Sequence, residues 1–377
     1  MDLDLTLVTV IILALFFDFT NGFHDTANAI ATSIATKAVP PKVAVIAAAI
    51  LNFLGAFVSL HVAATIATGI VNTEVITLQV ILAGIVGAII WNLFTWRFGL
   101  PTSSSHALIG GVAGSAIAAA GFGVIKWDGL SDKVLVPSLV APLLGLIITG
   151  IAVTVIYRLI KKRARTKADK LFRRLQLVSG GFVAFTHGTN DAQKTMGIIA
   201  LALIIANPAA EFSVPLWVIV SSALAMGIGT YLGGWRIIHT LGHRVVKLKP
   251  AQGFAAETST ATILWFTAHL GFPVSTTHTI SGSILGAGAA RKGSEVRWNI
   301  VKHILLAWII TIPCAGLVGA SMNGISHMPG GASLVFSLVI VIAGTIYITR
   351  NWGWESFAQF KARLNFISRL RRSPSDV

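Results

Sequence analysis

Charge is scarce in this sequence. Only 11% of its 377 residues are charged, against the roughly 25% usual in a soluble domain. Acids are scarcer still, 14 against 29 bases. This deficit excludes an ordinary soluble globule. Apolar residues make up 54% of the chain and mean hydropathy is +0.78. Runs of about 20 apolar residues, enough to cross a bilayer as helix, recur along its length. Backbone groups in lipid must pair internally, so such runs are expected to be helical. The expected class is an all-α polytopic membrane protein with about 10–12 membrane segments. There is one cysteine, Cys314, inside an apolar run, and it carries no information on redox compartment. A basic leader is also lacking: Asp2 and Asp4 stand near the N-terminus, so a removable signal peptide is not expected.

The net charge of +15 could suggest nucleic acid, but the bases fall in short connections between apolar runs. The positive-inside rule puts such connections in the cytoplasm, so no nucleic-acid partner is expected. Apolar runs are expected over 3–38, 43–70, 76–96, 101–120 and 134–158, then over 175–206, 214–234, 251–270, 272–289, 298–320 and 332–349. The basic stretch 158–174 is the strongest cytoplasmic signal. It divides a first repeat, 1–157, from a second, 175–320, followed by a final helix within 321–350 and a basic tail, 351–377. With every basic loop inside, the N-terminus lies outside and the tail in the cytoplasm of a multi-pass plasma-membrane protein.

Two motifs appear twice. Phe19-Thr-Asn-Gly-Phe-His-Asp-Thr-Ala-Asn-Ala29 places His24, Asp25 and Asn28 in an apolar run. Its second copy, Phe185-Thr-His-Gly-Thr-Asn-Asp-Ala-Gln-Lys194, matches Gly22 with Gly188 and Asp25 with Asp191. Pro101-Thr-Ser-Ser-Ser-His106 reappears as Pro273-Val-Ser-Thr-Thr-His278, within hairpins expected at 99–120 and 271–290. Two motif pairs in one order mark a tandem duplication. Five crossings per half would make the repeats inverted in the membrane, with broken or re-entrant helices.

Ionisable groups at membrane depth are costly and mark ion or substrate paths. A pseudo-twofold axis would bring Asp25 and Asp191 together. Gly22 and Gly188, with Asn21, Asn28 and Asn190, suggest that the helix unwinds there and exposes oxygens that hard cations prefer. The plainer alternative is that each Asp caps a broken helix. The Pro-x-Ser segments have the composition of helix starts. Their free N–H groups and hydroxyls (Ser103, Ser104, Ser105 and Ser275, Thr276, Thr277) would suit a tetrahedral oxyanion, while ordinary capping and close packing remain the alternative. Glu257 could carry a proton or cation, or sit at a helix end near Lys249. His106 and His278 could be simple hydrogen-bond partners. Asn52, Asn92 and His61 are expected to serve packing.

Gly22-Phe-His-Asp-Thr-Ala-Asn-Ala29 and His187-Gly-Thr-Asn-Asp-Ala-Gln-Lys194, with the paired Pro-x-Ser segments, resemble the signature motifs of the Pit-type inorganic phosphate transporters over nearly the whole chain. The resemblance implies a homodimeric secondary symporter in which phosphate sits between the two hairpins and is held by the six hydroxyls. It makes Asp25 and Asp191 the cation-binding acids, with Glu257 resembling a further family acid. Sodium-coupled members usually carry Asn where this chain has His24, and Ala-Asn where it has Gln193-Lys194. An ammonium at a sodium position would repel the ion, and His suits proton exchange. The variant resembles the bacterial low-affinity branch, so the coupling cation is expected to be a proton, with sodium as the alternative. A divalent metal could travel with the phosphate, and no resident cofactor is expected. The expected coupling set is therefore His24, Asp25, Asn28, Asn190, Asp191, Lys194 and Glu257. Sulfate is the nearest alternative substrate, although two acids favour phosphate, which can donate a hydrogen bond to a carboxylate. An intramembrane metallo-enzyme built on His24-Asp25 with His106, His187 or His278 would need a nucleophile–base pair, and none is apparent. A passive channel is the remaining alternative.

Overall fold

The computed structural model describes residues 4–209, 211–291, 296–326 and 332–351. The basic tail expected beyond 351 lies outside them. The described residues are helical almost throughout. In the first half, α1 spans Leu5–Ala35, α2 Pro41–Gly55, α3 His61–Thr68, α4 Leu78–Phe98 and α5 Ser104–Ala120. A short α6, Trp127–Leu130, winds on into α7, Val136–Leu159. The second half repeats the order: α8 is Arg165–Ala206, α9 Leu216–Leu232, α10 Trp235–His239, α11 Pro250–His269, α12 Thr276–Ala289 and α13 Trp298–Ser326. A last helix, α14, covers Ala332–Asn351.

The sequence sets the helix boundaries in matched ways. Gly99 ends α4 with φ of 65°, and Gly271 follows α11 with φ of 73°, a left-handed turn that glycine adopts without strain. Pro101 and Pro273 follow. Ser103 and Ser275 then cap α5 and α12, each Oγ accepting from the N–H of His106 or His278 at 3.1 and 3.2 Å.

The halves exchange partners. α1 packs on α9 and α8 packs on α2, while α5 packs on α13 and α12 on α7. Matched glycines allow the first pair of contacts. A Cβ on Gly22 would meet the Met226 carbonyl of α9, and one on Gly188 would meet the Asn52 carbonyl of α2. Small residues at such crossings let backbones approach closely where lipid gives helices no hydrophobic reason to associate. The outer surface is apolar: Leu139, Leu143, Ile147 and Ile151 form an exposed stripe on α7 at i, i+4 spacing. The polar groups lie inside, where Asp18, Asp25, Asp191, Lys194 and Glu257 are all buried.

Four described helices are long and apolar enough to cross a membrane, and the count is five if α9 and the helical stretch Trp235–Val245 that follows it, bent by 58°, form one span. The expected 10–12 segments include shorter helices such as α5 and α12, which by themselves fall below that length.

Some sequence expectations need correction. The chain does not unwind at Gly22 or Gly188, because α1 and α8 run unbroken through both motifs. Both glycines serve close packing, and neither Asp caps a helix. The breaks fall elsewhere. The apolar run 43–70 divides into α2 and α3, and Gly233 (φ 74°) with Gly234 bends the chain where Gly234 passes against the Phe23 carbonyl of α1. The linker 158–174 is mostly helix, since α8 begins at Arg165. α13 runs on past 320, to Ser326.

Candidate functional site

The two motif helices and the two capped hairpin helices meet at one buried centre. Asp25 Oδ2 accepts from Ser104 Oγ at 2.6 Å, and Oδ1 accepts from His24 Nδ1 at 2.7 Å and from Thr277 Oγ1 at 3.4 Å. One carboxylate therefore touches the first turns of both α5 and α12. Asn28 Nδ2 donates to Thr277 Oγ1 at 2.9 Å and to Thr276 Oγ1 at 3.3 Å. On the other side, Lys194 Nζ donates to Asp191 Oδ1 at 2.7 Å, to Ser105 Oγ, and to the Val274 carbonyl at 3.2 Å. Asn28 and Lys194 hold the same motif position, and Thr277 and Ser105 the same hairpin position. The two contacts are thus repeat-related, and each reaches from one half into the other.

The acids are brought together as the repeat implied. One ligand atom each of Asp25, His187 and Asp191 lies within 4.8 Å of the others. Asn52 orients the histidine: its Oδ1 stands 2.9 Å from His187 Nδ1, and its Nδ2 donates to Thr230 at 2.8 Å. With Nδ1 as donor, His187 Nε2 presents a lone pair toward Asp191 Oδ2, 3.6 Å away. Neither atom has a hydrogen-bond partner among the described residues, and neither do Asn28 Oδ1 and Asn190 Oδ1. Unpaired buried acceptors of this kind are suited to a cation, although Lys194 on the same carboxylate group works against a multiply charged one.

The hairpin hydroxyls divide by role. Ser103 and Ser275 are engaged as caps. Ser104, Ser105, Thr276 and Thr277 face Asp25, Asn28 and Lys194. The first N–H groups of α5 and α12 lack partners within their own helices, as at any helix start, so the two tips offer backbone donors beside the hydroxyls.

His106 and His278 stand to one side. Their rings meet edge-on with centroids 4.7 Å apart. His106 Nε2 lies 2.7 Å from Ser138 Oγ on α7, and His278 stacks on Trp308 of α13. Glu257 is also apart. Its Oε1 accepts from Thr32, Ser33 and Gln176 at 2.7, 2.6 and 3.1 Å, and its Oε2 from Ser179 at 2.5 Å. It is buried, so it does not occupy an exposed helix end near Lys249. Thr32 and Ser33 follow Asp25 by two turns of α1, about 11 Å of helix rise. His61 bonds Ser59 away from the centre, at 3.0 Å.

Sequence reasoning missed several residues. Thr95 and Thr102 lie 3.3 and 3.4 Å from His24 Nε2 and steady the ring beside Asp25. Asn52, expected to serve packing, orients His187. Asp18, between Phe17 and Phe19 in an apolar run, is buried in the same interior. The signals in the sequence are its scarcity, as one of 14 acids, and its place seven residues before Asp25.

Fold and site together define a multi-pass helical membrane protein with a polar centre shared between two sequence-related halves. The profile of the PHO4 phosphate transporter family matches residues 21–319, and the chain belongs to that family of transporters. A Mycobacterium bovis protein named "Probable low-affinity inorganic phosphate transporter" is 49% identical over 347 residues, covering 91% of this chain and 83% of its own. A Rhizobium meliloti protein of the same name is 48% identical, covering 83% and 94%. One from Bacillus subtilis is 45% identical over 85% and 97%. Among solved structures, one titled "The sodium-dependent phosphate transporter" superposes with a TM-score of 0.75 at 23% identity, over 89% of this chain and 99% of that one. That likeness concerns the fold.

Proposed function

We propose that this chain takes up inorganic phosphate as a cation symporter, by alternating access about the centre between α1, α8 and the two hairpin tips. The observation that carries this reading is the convergence of both tips on Asp25 and Lys194. Helix N-terminal donors and four hydroxyls supply many hydrogen bonds for a tetrahedral oxyanion, Lys194 supplies one fixed positive charge, and the carboxylates supply sites for cations or for a phosphate hydroxyl. The exchange of helix partners between the halves supports inverted repeats that rearrange about this centre. The N-terminus is placed outside and the C-terminus inside the plasma membrane, from the loop charges. The homodimer is carried over from the family resemblance.

The coupling ion in this reading is a proton. The repeat position that holds Asn28 in the first half holds Lys194 in the second. Its ammonium already takes a carboxylate oxygen, a hydroxyl and a carbonyl, the ligand set that a sodium ion would use. The test is radiolabelled phosphate uptake into proteoliposomes under separate proton and sodium gradients, with and without a divalent metal. Uptake driven by the proton gradient without sodium is expected, and Lys194→Asn is expected to bring in sodium stimulation. A strict sodium requirement at clamped pH would remove the proton reading. Sulfate carried in place of phosphate would remove the substrate.

A further inference from the structure

Asp18 lies seven residues before Asp25 on α1, so it sits two turns away on the same helix face. It is wholly buried, and neither carboxylate oxygen has a hydrogen-bond partner among the described residues. Asn21 and Thr195 stand beside it outside hydrogen-bonding geometry, and their own polar side-chain atoms are likewise buried and unpartnered. The charged groups acting on it are Asp191 and Lys194 of α8. Lys194 is already committed to Asp191 and Ser105. An unpaired buried carboxylate is among the most costly groups a protein can hold: it is neutralised by taking up a proton or a cation, and inside a membrane such groups mark ion paths. Beside Asp18 the Asn21 amide oxygen and the Thr195 hydroxyl add two neutral oxygens to the carboxylate, ligands of the kind a small hard cation prefers.

The spacing adds direction. Asp18, Asp25 and the Thr32–Ser33 pair that holds Glu257 follow one another at seven-residue steps along α1. Each step is about 10 Å of helix rise. Asp18 stands on the N-terminal side of the central site and Glu257 on the other. We propose that Asp18, with Asn21 and Thr195, is a separate station for the coupling cation, which binds there as a unit positive charge on its way to the Asp25–Asp191 centre. In the topology proposed above this is the outward side, so the directional part of the inference rests on that reading. The bound charge can come from a proton or from sodium, because either satisfies the same carboxylate.

The experiment separates phosphate exchange from coupled accumulation. Asp18→Asn in proteoliposomes is expected to keep phosphate–phosphate counterflow within about threefold of wild type. It is expected to lose roughly tenfold or more of gradient-driven accumulation, and Asp18→Glu to restore it. Proton and sodium gradients applied separately show which ion the station takes: the gradient to which Asp18→Asn no longer responds names it. In detergent, without phosphate, wild type is expected to gain thermal stability as that ion is raised, and Asp18→Asn to be insensitive to it. Full accumulation by Asp18→Asn, or an ion response of its Tm equal to that of wild type, would overturn the station. Equal loss of counterflow and accumulation, unrescued by Asp18→Glu, would make Asp18 structural. Absence of phosphate counterflow in wild type counts against the phosphate reading instead, and the Tm response then decides the station.

Discussion

The two halves of the central site differ in one charge while keeping one geometry. In the first, Asn28 reaches Thr277 and Thr276 of the opposite hairpin, and Asp25 is held by His24, Ser104 and Thr277. In the second, Lys194 reaches Ser105 of the opposite hairpin and is paired with Asp191. A neutral amide and an ammonium thus occupy repeat-related places. Duplication conserved the reach of the side chain across the interface, while its charge was free to diverge. The consequence is that Asp191 has an internal counter-ion and Asp25 has hydroxyls and a histidine. The first half is therefore where an external positive charge is most needed.

Substitutions at these positions break or sharpen that asymmetry. The largest effect is expected from Lys194→Met, which strands the Asp191 carboxylate. Removing one member of a buried ion pair costs about 3–5 kcal/mol, so thermal unfolding in detergent should shift strongly downward. The double variant Asp191→Asn with Lys194→Met should recover most of that loss. Asp25→Asn follows. It weakens a carboxylate that touches both hairpin tips, and initial phosphate uptake per folded protein is expected to fall roughly 100-fold, about 3 kcal/mol of lost interaction. The same substitution at Asp191 should lower stability as well as uptake, because it releases Lys194.

Gly188→Ala and Gly22→Ala come next. A methyl group at either place runs into backbone, of α2 and α9 respectively. Overpacking of this kind costs about 1–3 kcal/mol, read as reduced folded yield on gel filtration, and the two should suffer alike. The smallest change is expected from Ser103→Ala and Ser275→Ala, about 1 kcal/mol each for a lost helix cap. Equal small shifts in Tm would show that the hairpin tips are symmetric in structure even where the charges are not. A much larger loss of uptake than of stability in either cap variant would give that serine a direct contact with the anion.

Much of this was legible in the chain itself. The apolar runs mark α1, α4, α7, α8, α9, α11 and α13 closely, because in lipid an unbroken run leaves its backbone no alternative to helix. The paired motifs gave the repeat, and the repeat gave the meeting of Asp25 and Asp191. What failed was local. Glycine and asparagine in a motif read as a place where helix unwinds, yet at Gly22 and Gly188 the same residues serve close contact with a neighbouring helix. Those two uses have one sequence pattern and differ only in what lies opposite.

The linear order of residues determined the class of protein, its duplication, the capped hairpin tips and the pair of central acids, since each follows from local backbone chemistry or from a repeated pattern. Only the tertiary structure decided which half each side chain serves. Asn28 and Lys194 act on hydroxyls of the other repeat, Asn52 turns His187 toward Asp191, Glu257 has four donors of its own from α1 and α8, and Asp18 has no hydrogen-bonded donor among the described residues. These are contacts between residues that lie far apart along the chain, in most cases well over a hundred positions, and they depend on how helices exchange partners, which no short window of sequence records.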